Sequence, residues 1–122
     1  MRVLKFSDVP EQEVVDNPLF TGGAVTRQPM IGAEESQFFG MAIVSFHPGA
    51  RNKFHTHTSD QLLIVTSGTG IVASETEERV VSVGEVAHIT AGEKHWHGAT
   101  ADSAFSHITV TATGSQTEQL EP

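Results

Sequence analysis

The sequence predicts an all-β protein built as one small domain of short strands, and three observations carry that prediction. Short stretches rich in β-branched and aromatic residues recur at 38–46, 61–66, 70–74, 79–83 and 103–112, a composition that suits a pleated, packed surface. Between them, "HPGA", "SGTG", "VGEV" and "TAGEK" supply the backbone angles that tight turns demand. No segment sustains the apolar spacing of three and four that marks a long amphipathic helix.

Taken in order, the only helical turn expected lies near Val9 to Val15. "FFGMAIVSF" (38–46) reads as a strand on which Ala42 and Val44 face opposite to Met41 and Ile43. "QLLIVT" and "GIVAS" read as two strands joined by the turn "SGTG", and "RVVSV" as the next. "VSVGEVAHIT" then leads through a turn to "GEKHWHGAT". In "SAFSHITVTA", residues Phe105, His107, Thr109 and Thr111 share one face by the period of two. The barrel core is expected over about 20–113, and the polar tail, 114–122, is expected to be loose. Many short strands make either a sandwich or a barrel; the barrel is favoured because its interior is a dry cavity where ligands from separate strands converge.

At 122 residues there is room for one domain. Fifteen acidic against seven basic residues give a net charge of -8, which argues against a nucleic-acid or anionic-membrane surface, since those need clustered Lys and Arg. No apolar run approaches the roughly 20 residues needed to cross a bilayer. The N-terminal stretch lacks the pattern of a secretory signal, so a cytoplasmic location is expected. Zero cysteines remove thiolate metal sites and cysteine nucleophiles together, so any metal must rest on histidine and oxygen donors.

Such donors come in two clusters. In "KFHTHTSDQLLIV" (53–65), His55 and His57 are one residue apart and Gln61 follows four residues later. On an extended segment both imidazoles aim at one point, as metal binding requires, although a solvated strand end explains this stretch equally well. "GEKHWHGAT" (92–100) supplies a second such pair, His95 and His97. Two histidine pairs on separate strands favour the metal.

Gly49, His55, His57, Gln61 and Gly68, followed by Gly84, Gly92 and His95, reproduce the spacing of two motifs, G(x)5HxH(x)3-4E(x)6G and G(x)5PxG(x)2H(x)3N. On these residues the chain resembles the cupin superfamily, which implies a small antiparallel β-barrel, a jelly-roll-like double-stranded β-helix, holding a divalent metal inside by His55, His57, Gln61 and His95. Gln61 stands where the family usually has Glu, Thr90 where it has Pro, and Ala99 where it has Asn. "FTGG" (20–23), "HPGAR" (47–51), "HTHTSDQLLIVTSG" (55–68), "GEKHWHGAT" and "SHITV" (106–110) are further similar to the manganese-dependent cupin hydroxynitrile lyases, which cleave or form cyanohydrins. Where those lyases carry a pocket glutamine, this chain has Thr111.

Three imidazoles and an amide are uncharged, so a divalent ion among them keeps its full charge and is a stronger Lewis acid. Non-redox chemistry is thereby favoured over oxygenation. Such ligands suit Mn, Fe, Ni or Zn, and the resemblance selects manganese. His107, whose family counterpart points into the cavity, is the candidate acid and base, with a hydrogen-bonded core histidine as the alternative, and His97 is the second, acting on substrate or orienting His95. Ala42, Val44, Phe105, Thr109 and Thr111 are the expected substrate pocket. Arg51 and Lys53 are read either as guiding an anionic substrate or, more simply, as ordinary exposed charges on a strand, and His47 and His88 as turn and wall residues.

The expected partner is a small-molecule substrate, within a homodimer or homotetramer paired through outer sheets. An iron or manganese oxygenase, a decarboxylase- or isomerase-associated cupin of aromatic-acid breakdown, and a non-enzymatic ligand-binding cupin are the competing expectations.

Overall fold

Twelve strands and one turn of 3-10 helix, Phe6–Asp8, make up the structure, a computed structural model that describes all 122 residues. The strands are β1 (Gln12–Glu13), β2 (Phe20–Thr21), β3 (Val25–Ile31), β4 (Phe39–Phe46), β5 (Arg51–Asn52) and β6 (His55–His57). They continue with β7 (Gln61–Ser74), β8 (Glu78–Ser82), β9 (Val86–Ile89), β10 (His95–Ala99), β11 (Phe105–Ala112) and β12 (Thr117–Gln119). Every pairing is antiparallel. One path of neighbours runs β1-β3-β4-β11-β7-β10-β5-β2, with β8 and β9 on β7, and β6 between β10 and β12.

Strand β7 curls this sheet on itself. Its first part pairs with β11 and β9, its second with β8 and β10, so one 14-residue strand passes from one wall to the other. The expected turn at "SGTG" is therefore a bend within a strand. Gly68 makes the bend: its φ of 70° belongs to the left-handed region, and a Cβ there would collide with the carbonyl of Ala104. Opposite it, the register of β11 shifts between Ser106 and His107, a bulge that sharpens the local twist.

Two other expectations are corrected. The helical turn lies at Phe6–Asp8, and within Val9 to Val15 the chain forms β1 instead, because residues 12 and 13 find backbone partners in Arg27 and Thr26. The tail 114–122 is not loose: β12 is hydrogen-bonded along β6. Strand β3 went unread because Pro29 and Arg27 interrupt its apolar pattern; the structure accommodates Pro29 beside a register shift between Pro29 and Ile31.

Register on β4, β11 and β7 sets the interior rows. Val44, His107 and Val65 form one row, Ala42, Thr109 and Leu63 the next, and Gly40, Thr111 and Gln61 the third. The apolar end of the barrel is filled by Val25, Val44, Phe46, Ala50, Val65, Val81, Ala99 and Phe105. Phe46 and Phe105 stack with centroids 6.0 Å apart and are each only 1% exposed. No helix is long and apolar enough to cross a membrane.

Candidate metal centre

Two strands bring the histidines together. His55 on β6 lies directly across from His95 on β10, so their side chains share a face, with ring centroids 4.3 Å apart. His57 follows on β6 and His97 on β10, each two residues further and on that same face. The His57 ring is 4.8 Å from His55 and 5.3 Å from His95. Gln61, the first residue of β7 and buried, places its Oε1 3.1 Å from His95 Nε2.

The outer atom of each of these four side chains is already engaged. His55 Nδ1 lies 2.6 Å from the carbonyl of Lys53, and His95 Nδ1 2.8 Å from that of Glu93. His57 Nδ1 is 2.9 Å from Thr117 Oγ1. The Gln61 amide nitrogen donates to Thr109 Oγ1 at 2.7 Å, which turns its carbonyl oxygen toward the histidines. Imidazoles that donate Nδ1–H to an oxygen keep the lone pair of Nε2 for a metal, and this arrangement recurs around bound ions.

His55, His95 and His97 are a buried triplet that could hold a metal ion, with one ring nitrogen from each mutually within 4.8 Å. His57 lies outside that triplet, yet its Nε2 is buried with no hydrogen-bond partner, whereas both nitrogens of His97 have partners. Asn52 provides one of them. Its Oδ1 accepts the backbone N–H of His97 at 2.8 Å, so its amide nitrogen faces the ring and donates to Nε2 at 3.1 Å. Assigned from that pattern, the proton of neutral His97 sits on Nδ1 and is donated to His107 Nε2 at 3.0 Å. His107 itself is completely buried, with Nδ1 unpartnered.

Electrostatics keep this cluster uncharged. Burial, opposed by the Lys53 carbonyl and reinforced by His95 and His57, lowers the pKa of His55 to about 4. Burial and the nearby His95, opposed by the Gln61 side chain, bring His57 to about 4 as well. Burial lowers His95, with the Glu93 carbonyl working against it, and lowers His97 further, helped by His107. His107 falls to about 4 for the same reason. Neutral imidazoles with free lone pairs are the state a divalent cation requires.

The other expected residues are distributed differently. Ala42 and Thr109 line a cleft of about 180 Å³ together with Arg27, Ile31 and Gly40. Val44 and Phe105 belong to the apolar cluster, whose aromatic members abut the histidines: Phe46 lies 5.7 Å from His107 and 6.0 Å from His97. Thr111 sits beside Gln61 in the cross-strand register. Arg51 is engaged elsewhere, 2.6 Å from Glu121 and 4.6 Å above the Trp96 ring. His88 pairs with Asp60 on the surface at 2.8 Å. Sequence reasoning missed Asn52 and Thr117, because neither is at a motif spacing; pairing of β5 with β10 and of β12 with β6 delivers them.

The family model for the cupin domain matches residues 42–111, which include His55, His57, His95, His97, His107 and Gln61. The chain belongs to the cupin family. This cupin is 40% identical over 91 residues to an (R)-mandelonitrile lyase of Granulicella tundricola, an alignment covering 72% of this chain and 68% of that protein. Among solved structures it superposes on a cupin-like protein of Thermotoga maritima with a TM-score of 0.79 and 32% identity, covering 84% of this cupin and 79% of that chain. The polyketide cyclase RemF of Streptomyces resistomycificus shares the fold at a TM-score of 0.87 and 17% identity, over 100% of this cupin and 87% of that chain.

Proposed function

We propose that this cupin is a metal-dependent carbon–carbon lyase that cleaves and forms cyanohydrins, with manganese as its metal. The observation that carries the proposal is the 40% identity to a mandelonitrile lyase across most of the chain. His55, His57, His95 and Gln61 would hold the ion: Lys53, Thr117, Glu93 and Thr109 engage the opposite side of each, which leaves their Nε2 atoms and Oε1 facing one another, His95 Nε2 and Gln61 Oε1 at 3.1 Å. Bound there, the ion supplies Lewis acidity undiminished by any carboxylate.

The remaining work falls to the protein. In the cleavage direction the bond between the hydroxyl-bearing carbon and the nitrile carbon breaks, and its electron pair leaves as cyanide. The electrons of the O–H bond become the carbonyl π bond. The hydroxyl proton passes to cyanide through the His97–His107 pair, 3.0 Å apart, giving an aldehyde and HCN and returning the pair to its starting charge. Low pKa values leave both rings neutral at physiological pH, so a proton taken up from substrate is readily passed on, and Asn52 holds the orientation of His97. Phe46 and Phe105 exclude water from that side.

Incubation of the Mn-loaded protein with mandelonitrile, following benzaldehyde by its absorbance, tests the proposal. Benzaldehyde released above the metal-only blank is expected; none would refute it. Oxygen uptake by the Fe-loaded protein in the absence of lyase activity would establish an oxygenase instead.

A further inference from the structure

We infer that the segment after β11 is a clasp that orients one metal ligand, with Thr117 as its positioning residue. The inference rests on the assignment of His57 as a ligand. Three imidazoles face the centre, but their outer nitrogens are held in two different ways. His55 and His95 each use the backbone carbonyl two residues earlier, so the chain leading into each strand fixes the ring. His57 has no such local partner. Its Nδ1 meets Thr117 Oγ1 at 2.9 Å, sixty residues further along the chain.

The backbone around His57 depends on the same segment. Strand β6 has three residues and touches β10 at the single pair His55 and His95. Its other edge is completed by β12, with Thr117 opposite His57, Glu118 opposite Thr56 and Gln119 opposite His55. On both sides of that ladder the segment is fastened. Thr58 N donates to the Gln116 carbonyl at 3.0 Å, and Gln116 N to Thr58 Oγ1 at 2.9 Å. Leu120 N donates to the Phe54 carbonyl at 2.8 Å. Glu121 takes the Phe54 N–H at 3.0 Å with one oxygen and Arg51 at 2.6 Å with the other.

The chemistry follows from the tautomer. With Nδ1–H donated to Thr117, the unpartnered Nε2 of His57 presents a lone pair to the centre. Without the hydroxyl, the ring is free to rotate about its χ angles and to carry its proton on either nitrogen, so both orientation and basicity of the ligand suffer. Outer-sphere hydrogen bonds of this kind are worth about 10- to 100-fold in metal affinity.

Titration of the metal-free full chain with Mn(II) alone, by calorimetry and by the paramagnetic signal of free Mn(II), reads the effect directly. Thr117→Val keeps the shape and removes the hydroxyl; it is expected to weaken Mn(II) binding about 10- to 100-fold. Thr117→Ser restores the acceptor and is expected to return affinity close to wild type. Equal affinities for wild type and Thr117→Val, or equal loss in the Val and Ser variants, would overturn the clasp while leaving the ligand assignment standing. Wild type that binds no Mn(II), Fe(II), Zn(II) or Ni(II) would overturn the ligand assignment and the clasp with it. Should Thr117→Val fail to fold by circular dichroism, Glu121→Gln decides: a several-fold loss of Mn(II) affinity supports the clasp, and wild-type affinity overturns it.

Discussion

Lowering the pH from 7 to 5 should destabilise the metal-free protein, and His107 sets the scale. Its ring is completely buried, and burial brings its pKa from the ordinary 6.5 to about 4. In the unfolded chain the same histidine takes up a proton near its ordinary value, so between those two limits the unfolded state binds more protons and stability falls as acid is added. The contribution is fully present above 6.5 and is lost as the pH falls toward 4. At about 1.4 kcal/mol per unit, the whole shift amounts to about 3 kcal/mol, of which about 2 kcal/mol is lost between pH 6.5 and 5. His97, lowered further by burial and by His107, acts in the same direction, as do His55, His57 and His95. Asp60 and Glu121 are held below the usual carboxylate range by His88 and by the Phe54 N–H respectively, so both titrate below the window of pH 5 to 7. Urea unfolding followed by the single tryptophan, Trp96, at several pH values reads the slope. His107→Gln should be less stable at pH 7 but show a shallower loss on acidification. A wild-type midpoint unchanged between pH 7 and 5, or an undiminished slope in His107→Gln, would refute the reasoning.

Three further outcomes follow from the same geometry. Phe46→Ala removes the ring that stacks on Phe105 and abuts His97 and His107, and should cost about 3–5 kcal/mol of stability in urea unfolding. His107→Ala should lower kcat for mandelonitrile cleavage by about 10²- to 10⁴-fold while leaving Mn(II) affinity near wild type, because the ring is joined to His97 and not to the proposed ligands. Gln61→Glu should tighten Mn(II) binding in calorimetry yet reduce cleavage about tenfold, since a carboxylate offsets part of the cation's charge.

The histidine pairs were readable because a spacing of two on an extended chain is a local property, set by the backbone alone. The row of Phe105, His107, Thr109 and Thr111 was readable for the same reason, and β4, β7 and β11 carry enough β-branched residues to announce themselves. Strand β12 was not: "TEQ" is polar, has no apolar alternation, and becomes a strand only because β6 offers it an unpaired edge. Gly68 looked like a turn because a glycine with positive φ serves a hairpin and a bend alike; only the pairing of β7 with β10 and β11 separates the two. Arg51, read as a surface charge open to substrate, is occupied by Glu121 and Trp96, neither of which is near it in sequence.

By itself the sequence determined the fold class, the family motifs and which side chains could serve as donors, since all three depend on residue type and short-range spacing. Tertiary structure alone decided what each donor does. Whether a histidine's outer nitrogen meets a carbonyl two residues back, as in His55, a hydroxyl sixty residues on, as in His57, or another imidazole, as in His97, depends on how the strands assemble. Register is a property of the assembled sheet, because a slip of one residue turns every side chain on a strand to its other face.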